Sequence, residues 1–424
     1  MAGRAVVTGL GVVAPGTERG TDAYWKMLVD GRTATRRITH FDPERFRCQV
    51  AAEADFDPVL AGLSPQEARR MDRTAQFSVV AAREALVDSG LVIGPGGALP
   101  SRVGVSVGNA VGCTMGLESE YVVISDGGRK WLCDDEYAVP ELYDYLVPSS
   151  VVRETAWAVG AEGPVSLIST GCTSGIDALG NALRLIEEGE ADVVVAGAAE
   201  APISPITVAC FDAIKATSTR NDTPESACRP FDATRNGLVL GEGAAVLVLE
   251  SREHAEARGA RVRAEIVGYD ARANAFHMTG LKPDGREMSE AIDTALAEAG
   301  LRPEDVDYVN AHGSGTKQND RHETAAVKRS LGDHARRVPM SSIKSMIGHS
   351  LGAIGALEVV ACVKAIEENT VPPTANHTTD DPECDLDYVV EGAREQRTDV
   401  ALSVGSGFGG FQSAIVIAAE GRVR

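Results

Sequence analysis

The sequence predicts an α/β protein with two similar halves, about residues 1–250 and 251–424. Three observations predict it. Short apolar runs alternate with longer helical stretches, as buried strands and their crossover helices do. A set of elements occurs twice in one order. The 424 residues exceed one simple domain, and no Pro/Ser linker or low-complexity tract divides them.

In the first half the strands are expected at Arg4–Thr8, Val103–Val107, Val165–Ser169 and Val193–Ala196, with a helix around Gln76–Ser89. The stretch 81–91, helical and ending Ser-Gly-Leu, leads into the strand and glycine loop at 102–112. Its echo at 291–301, ending Ala-Gly-Leu, leads into 305–315. A strand, tight turn and helix at 164–183 matches 338–360. A strand and Gly/Ala-rich exit at 193–203 matches 401–411.

Hydrophobic residues make up 44% of the chain and aromatics 5%, with 44 glycines, as in tightly packed α/β enzymes. The net charge of −20 argues against nucleic acid or an anionic membrane as partner. The N-terminal run resembles no signal peptide, and no apolar stretch has bilayer length. The eight cysteines form no CxxC pair, so no zinc or other metal site is expected. A reducing, cytoplasmic setting with free thiols follows.

Gly9, Gly11 and Ala14 fit the dinucleotide pattern GxGxxG/A after a strand. Pro15 and Gly16 stand where the phosphate-binding helix should run, and no acidic residue follows at ribose distance. The motif is read as a glycine turn after the first strand.

Cys172 sits in Ser169-Thr170-Gly171-Cys172-Thr173-Ser174-Gly175. An apolar strand precedes it, and Ile176, Leu179, Leu183 and Ile186 follow at helical spacing. A strand-to-helix turn among small residues admits a substrate, and the helix N-terminus favours a thiolate and offers oxyanion donors. Alone, this turn fits a reactive thiol or a structural cysteine equally.

His312, in Asn310-Ala311-His312-Gly313-Ser314, and His349, in Ile347-Gly348-His349-Ser350, both stand in Gly/Ser-rich surroundings. Two neutral imidazoles aimed at one point suit a developing enolate oxygen. Lys344 is expected to pair with Glu358 or Glu323 and to set the local field rather than form a Schiff base. His277 is a weaker candidate. His40, His254, His334 and His377 read as solvated, and His322 as part of a charged helix start beside Asp320.

Together the motifs VVTGLGVVAP, STGCTSG, STRND, RPFDATRNGLVLGEGAA, NAHGSGT, KSMIGHSLGAIGALE and GSGFGGFQ resemble the β-ketoacyl synthases of the thiolase superfamily over essentially the whole chain. Within the family the sequence is most similar to the α subunit of bacterial type II aromatic polyketide synthases. NAHGSGTKQNDRHETAA, FHMTGLKPDGREM and GSGFGGFQ are the local grounds. A Gly-Thr-Asn ending, usual in fatty-acid elongating synthases, is replaced by Gly410-Phe411-Gln412, and the chain-length-factor subunit has Gln at the nucleophile position. A second histidine argues against the Cys–His–Asn initiating enzymes. A thiolase would need a second cysteine near the C-terminal loop, and Gly405–Gly410 has none.

The resemblance implies a duplicated five-layer αβαβα body. It assigns Cys172, His312, His349 and Lys344 as the catalytic set, and Asp320, Glu323, Glu358 and His277 are read as supporting residues. The backbone N–H groups of Cys172 and Phe408 become the oxyanion hole. The implied reaction is decarboxylative Claisen condensation of acyl and malonyl thioesters on an acyl carrier protein, giving a poly-β-ketone. Fatty-acid elongation is the alternative. No cofactor is bound, and the carrier supplies its phosphopantetheine arm. Arg69, Arg70, Lys215 and Arg220 align with family docking positions, though such charges also read as solvated surface. The expected partner is a chain-length-factor-like β subunit. The Met-, Trp- and Tyr-bearing segment 111–146 would lie near it, and Met115 and Gly116 would line a shared acyl passage.

Overall fold

Ten main strands join in a single hydrogen-bonded sheet in a computed structural model that describes residues 5–17, 20–130 and 133–423. Arg4, at the expected start of the first strand, and Trp131, in the expected interface segment, lie outside the described residues.

Five strands come from the first part of the chain: β1 (Ala5–Val13), β2 (Val103–Gly108), β3 (Val165–Ile168), β4 (Val193–Glu200) and β5 (Gly243–Ser251). Five follow: β6 (Ala264–Ala273), β7 (Tyr308–Asn310), β8 (Met340–Ser341), β9 (Val400–Gly407) and β10 (Phe411–Ala418). The spatial order is β8-β7-β9-β10-β6-β1-β5-β4-β2-β3. Outward from the β1–β6 junction, each set of five runs first, fifth, fourth, second, third. In each, the three outer strands are parallel and the two inner ones antiparallel. The sequence echo is therefore a repeated topology.

Helices α1 (Arg73–Ser89), α2 (Thr114–Ile124), α3 (Ser149–Val159), α4 (Ser174–Glu187), α5 (Pro205–Ala213), α6 (Arg286–Glu298), α7 (Lys317–Leu331) and α8 (Ile354–Glu368) complete the frame. α4 and α8 touch strands of both leaves, so the leaves face each other across these two helices. α8 is buried all round from Ile354 to Ile366 and mostly apolar, as a central helix must be. α1 and α3 cover one outer face, α6 and α7 the other. Three apolar cores fill the gaps. Along β5, Leu247 and Leu249 point into the central core while Val246 and Val248 point into the outer one. This is the period-two alternation of a strand buried on both faces. The layers are α, β, α, β, α.

The glycine turn expected at residues 9–11 is not a turn. β1 runs through it to Val13, and the chain turns at Pro15–Gly16, where Gly16 has φ +69°. A Cβ at Gly9 would stand 2.2 Å from the Ala85 carbonyl oxygen, and one at Gly11 2.0 Å from that of Ala81. These glycines let α1 lie against the strand.

Candidate active site

β3 ends at Ile168, and the chain turns at Gly171 (φ +63°) into one 3-10 turn, Gly171–Thr173, which continues as α4. The Ser174 hydroxyl ties the turn, accepting from the Thr170 N–H at 2.9 Å and donating to the Gly171 carbonyl at 2.6 Å. Cys172 tops this turn with 9% of its surface exposed.

The equivalent β8 is followed by the one-turn helix Lys344–Ile347, then His349, then the turn Leu351–Ala353 into α8. The chain at 239–241 grips His349 on both sides. The His349 N–H donates to Val239 at 2.7 Å, and its carbonyl accepts from Gly241 at 2.9 Å. His312 follows β7. The Glu323 carboxylate of α7 accepts the N–H groups of His312 (2.6 Å) and Gly313 (2.8 Å).

These turns meet in one cavity of about 490 Å³, whose lining includes Cys172, His312, His349 and Phe408. The imidazole rings lie 5.2 Å apart, edge to face at 77°. The cavity grades from a buried floor at Cys172 and the histidines to an exposed mouth at Ile214, Lys215, Asn236, Lys317 and Gln318.

Burial holds both imidazoles well below the ordinary histidine range, and the nearby Lys344 charge pushes the same way, so both are neutral. His349 Nδ1 accepts the Leu351 N–H at 3.1 Å, which puts its proton on Nε2. His312 Nδ1 is buried without a hydrogen-bond partner.

Cys172 departs from the expected thiolate. Burial pushes its thiol up to about 12, opposed by the Lys344 charge and a backbone hydrogen bond from Phe408. The cavity wall excludes the water that would solvate a sulfur anion, and this outweighs the turn's dipole.

Lys344 is fully buried and pairs with Glu358, not Glu323. Burial pushes Glu358 up to about 7, with the Lys344 charge opposing. Glu323 is pushed up to about 8 by its own burial. Asp320 accepts the Phe231 N–H at 2.8 Å and pairs with the buried Arg235 at 3.2 Å, which braces the cavity wall beside Asn236 and Gly237.

Other expected residues lie apart. His277 is exposed, and its Nδ1 accepts the N–H groups of Thr279 (3.1 Å) and Gly280 (3.0 Å), shaping a loop whose Thr279 and Leu281 reach the cavity. His322 is not at the helix start but a full turn inside α7, buried, with Nδ1 2.6 Å from the Lys282 carbonyl. Of the histidines read as solvated, His254 pairs with Glu250 (2.6 Å) and His334 donates to the Val306 carbonyl (2.7 Å). Lys215 stands at the mouth. Arg220 is half-buried and bonds Thr234 at 2.9 Å. Arg69 is exposed on a separate short helix, Pro65–Arg70, and Arg70 pairs with the buried Glu154. Met115 and Gly116 do not line this cavity. Met115 packs on an outer core, and the Gly116 N–H donates to Asp72 at 2.8 Å.

Sequence reading missed several residues. Lys317 adds a second positive charge at the mouth. Asp177 accepts from the hydroxyls of Thr170, Thr173 (2.8 Å), Tyr269 (3.0 Å) and Ser413 (2.6 Å), pinning the Cys172 turn to the opposite leaf. Its place five residues after Cys172 is the one local signal, and Tyr269 and Ser413 carry none. Among the described residues no group of three or more His, Cys, Asp or Glu side chains could hold a metal ion, and no helix is long and apolar enough to cross a membrane.

The β-ketoacyl synthase N-terminal domain pattern matches residues 3–255, and the C-terminal domain pattern matches residues 263–378. The chain belongs to the β-ketoacyl synthase family. It is 63% identical to the actinorhodin polyketide putative β-ketoacyl synthase 1 of Streptomyces coelicolor, over 98% of this chain and 88% of that one. It is 62% identical to the tetracenomycin polyketide synthase ketoacyl synthase alpha subunit of Streptomyces glaucescens, over 98% and 97%. Among solved structures, a ketosynthase bound to a hexaketide in complex with its type II acyl-carrier protein matches with a TM-score of 0.92 at 39% identity, over 99% of this chain and 100% of that one. The ishigamide ketosynthase/chain length factor matches with a TM-score of 0.88 at 33% identity, over 99% and 100%. As in other β-ketoacyl synthases, the fold is thiolase-like.

Proposed function

We propose that this β-ketoacyl synthase is the condensing α subunit of a type II polyketide synthase, joining acyl chains to malonyl units on an acyl carrier protein. The observation that carries the reading is the meeting of Cys172, His312 and His349 at the floor of one cavity. Identity above 60% to named polyketide ketosynthases supports this product class over fatty-acid elongation.

The acyl group of a carrier thioester passes to Cys172. The sulfur attacks the carbonyl, the carrier thiol leaves, and the proton lost from Cys172 ends on that thiol. The N–H groups of Cys172 and Phe408 hold the tetrahedral oxyanion. A malonyl thioester then enters and loses CO2, and its enolate oxygen takes hydrogen bonds from His312 and His349. Neutral imidazoles suit this step, because they donate without holding the enolate as a tight ion pair. The α-carbon attacks the Cys172 thioester, the Cys172–acyl bond breaks, the departing sulfur takes up a proton from water, and the carrier bears a chain two carbons longer. Lys344, balanced by Glu358, favours both sulfur and enolate anions by its field. Glu323 fixes the His312 backbone, and Asp320 the wall.

The carrier's phosphopantetheine arm would enter between Lys215 and Lys317, with Arg220 behind them. An acidic carrier suits these charges despite the overall −20. Arg69 and Arg70 would serve docking only from a second surface. A similar second subunit would cover the edge strand β3, where Val165 is 45% exposed, and the apolar side chains Tyr121, Val122, Val123 and Trp157. α2 then carries Met115 and Gly116 to that contact, as a shared acyl passage requires. We assign the halves as 1–250, bearing the thiol, and 251–424, bearing both imidazoles. All eight cysteines are free, which suits a reducing cytoplasm.

Reconstitution with carrier protein, malonyl donor and a candidate second subunit, read by mass spectrometry of carrier-bound species, tests the reading. Chains growing by unreduced two-carbon units are expected only with both subunits. Full-length product from this chain alone would remove the heterodimer.

A further inference from the structure

Glu200 ends β4, is fully buried, and has no part in the chemistry above. Its carboxylate accepts four N–H groups. Oε2 takes those of Ala110 (2.6 Å) and Gly352 (3.1 Å), and Oε1 takes that of Val111 (3.2 Å) and the Asn109 side-chain amide (2.9 Å). Three of these donors belong to the loop after β2. The fourth lies in the opposite half, three residues past His349. Burial pushes the carboxyl up to about 8, and the N–H groups pull it back toward the carboxylate.

The turn it grips is unusual. Leu351 has φ +46°, a left-handed conformation that a branched side chain adopts only when its surroundings impose it. Gly352 is closely held, since a Cβ there would stand 2.6 Å from the Ala110 nitrogen and 2.7 Å from Glu200 Oε2. The Leu351 N–H is the donor that reaches His349 Nδ1. On the other side of the clamp, the Asn109 carbonyl lies 3.3 Å from the hydroxyl oxygen of Ser174, two residues past Cys172.

We propose that Glu200 is a positioning residue for His349: by clamping Gly352 to the loop 109–111, it holds Leu351 left-handed so that the Leu351 N–H keeps the imidazole proton on Nε2, facing the cavity. A tautomer set by a hydrogen bond from behind is how imidazoles are commonly aimed. The same carboxylate keeps the imidazole turn in register with the thiol turn. The inference rests on the proposed role of His349 in decarboxylation.

The test compares Glu200→Gln with His349→Ala in the full chain with its carrier and second subunit. The glutamine variant keeps one acceptor oxygen but sets an NH2 against N–H donors. CO2 release from malonyl carrier should fall on the order of tenfold to a hundredfold, the scale for losing a residue that orients a working histidine. Acyl loading of Cys172 should change by less than about threefold, and nitrogen-15 spectra of labelled histidine should show His349 leaving the pure Nε2–H form. CO2 release within about twofold of wild type, while His349→Ala is slow, overturns the proposal. So does an equal loss of loading and CO2 release, which marks a general structural support. If Glu200→Gln does not fold, the wild-type spectrum decides, because an Nδ1–H His349 is incompatible with the clamp. If His349→Ala releases CO2 normally, the reading of the site has failed, and the tautomer shift in Glu200→Gln still judges Glu200.

Discussion

The turns after β3 and β8 occupy the same place in the repeated topology, and they carry different chemistry. Both end an outer parallel strand, pass through a left-handed residue and one 3-10 turn, and enter a central helix. The first presents a thiol, Cys172, and turns on Gly171. The second presents an imidazole, His349, and turns on Leu351, where the geometry has to be imposed. The ends of β4 and β9 diverge in the same way, one offering the carboxylate of Glu200 and the other the backbone of Phe408. The repeated frame is chemically asymmetric, with a thiol on one side and two imidazoles on the other. The frame aims both at one cavity.

The largest effect is expected at the thiol. Cys172→Ala should abolish acyl loading, read as loss of one acyl mass on the intact protein. Loading that persists would move the nucleophile elsewhere. On the opposite turn, His349→Ala, and His312→Ala beside it, should slow CO2 release by about a hundredfold or more, the scale of a lost oxyanion donor. Loading should suffer less in both. Equal damage to loading and CO2 release would erase the division of labour between the halves.

The buried pair beneath both turns comes next. Lys344→Ala leaves Glu358 uncompensated and should cost about 3–5 kcal/mol of stability in urea unfolding. Lys344→Met combined with Glu358→Leu should recover much of it. A single-variant loss below about 1 kcal/mol would mean that the pair contributes field and not structure.

A pH series sharpens the contrast of thiol against imidazole. Cys172 is pushed up to about 12, so its thiolate fraction grows about tenfold per pH unit from pH 6 to 9, and alkylation by iodoacetamide should follow. Both imidazoles stay neutral throughout, because burial lowers them below this range. A plateau in alkylation below pH 8 would show an activated thiolate instead. The smallest effect belongs to the mouth. Lys215→Glu should raise the carrier KM by about two- to fivefold, the scale of one exposed charge pair, and the effect should fade with salt.

Local pattern carried much of this protein. The apolar runs, the Gly/Ser-lined surroundings of Cys172, His312 and His349, and the echo of 164–183 at 338–360 are all readable along the chain, because a strand, its turn and the next helix are consecutive residues. That is why the α/β class and the candidate triad were legible. What two halves do to each other was not. The glycines at 9 and 11 looked like a turn because their reason, the backbone of α1 some seventy residues on, is invisible locally. Cys172 looked like a thiolate because helix-end polarity is a sequence-local effect, whereas the burial that pushes its thiol up is made by walls from several distant segments. Glu200 with Gly352, and Asp177 with Tyr269 and Ser413, are contacts between residues far apart in the chain. Only the folding of one leaf over the other brings them within hydrogen-bond reach, and only in that dry interior do single charges and N–H groups decide which proton sits where.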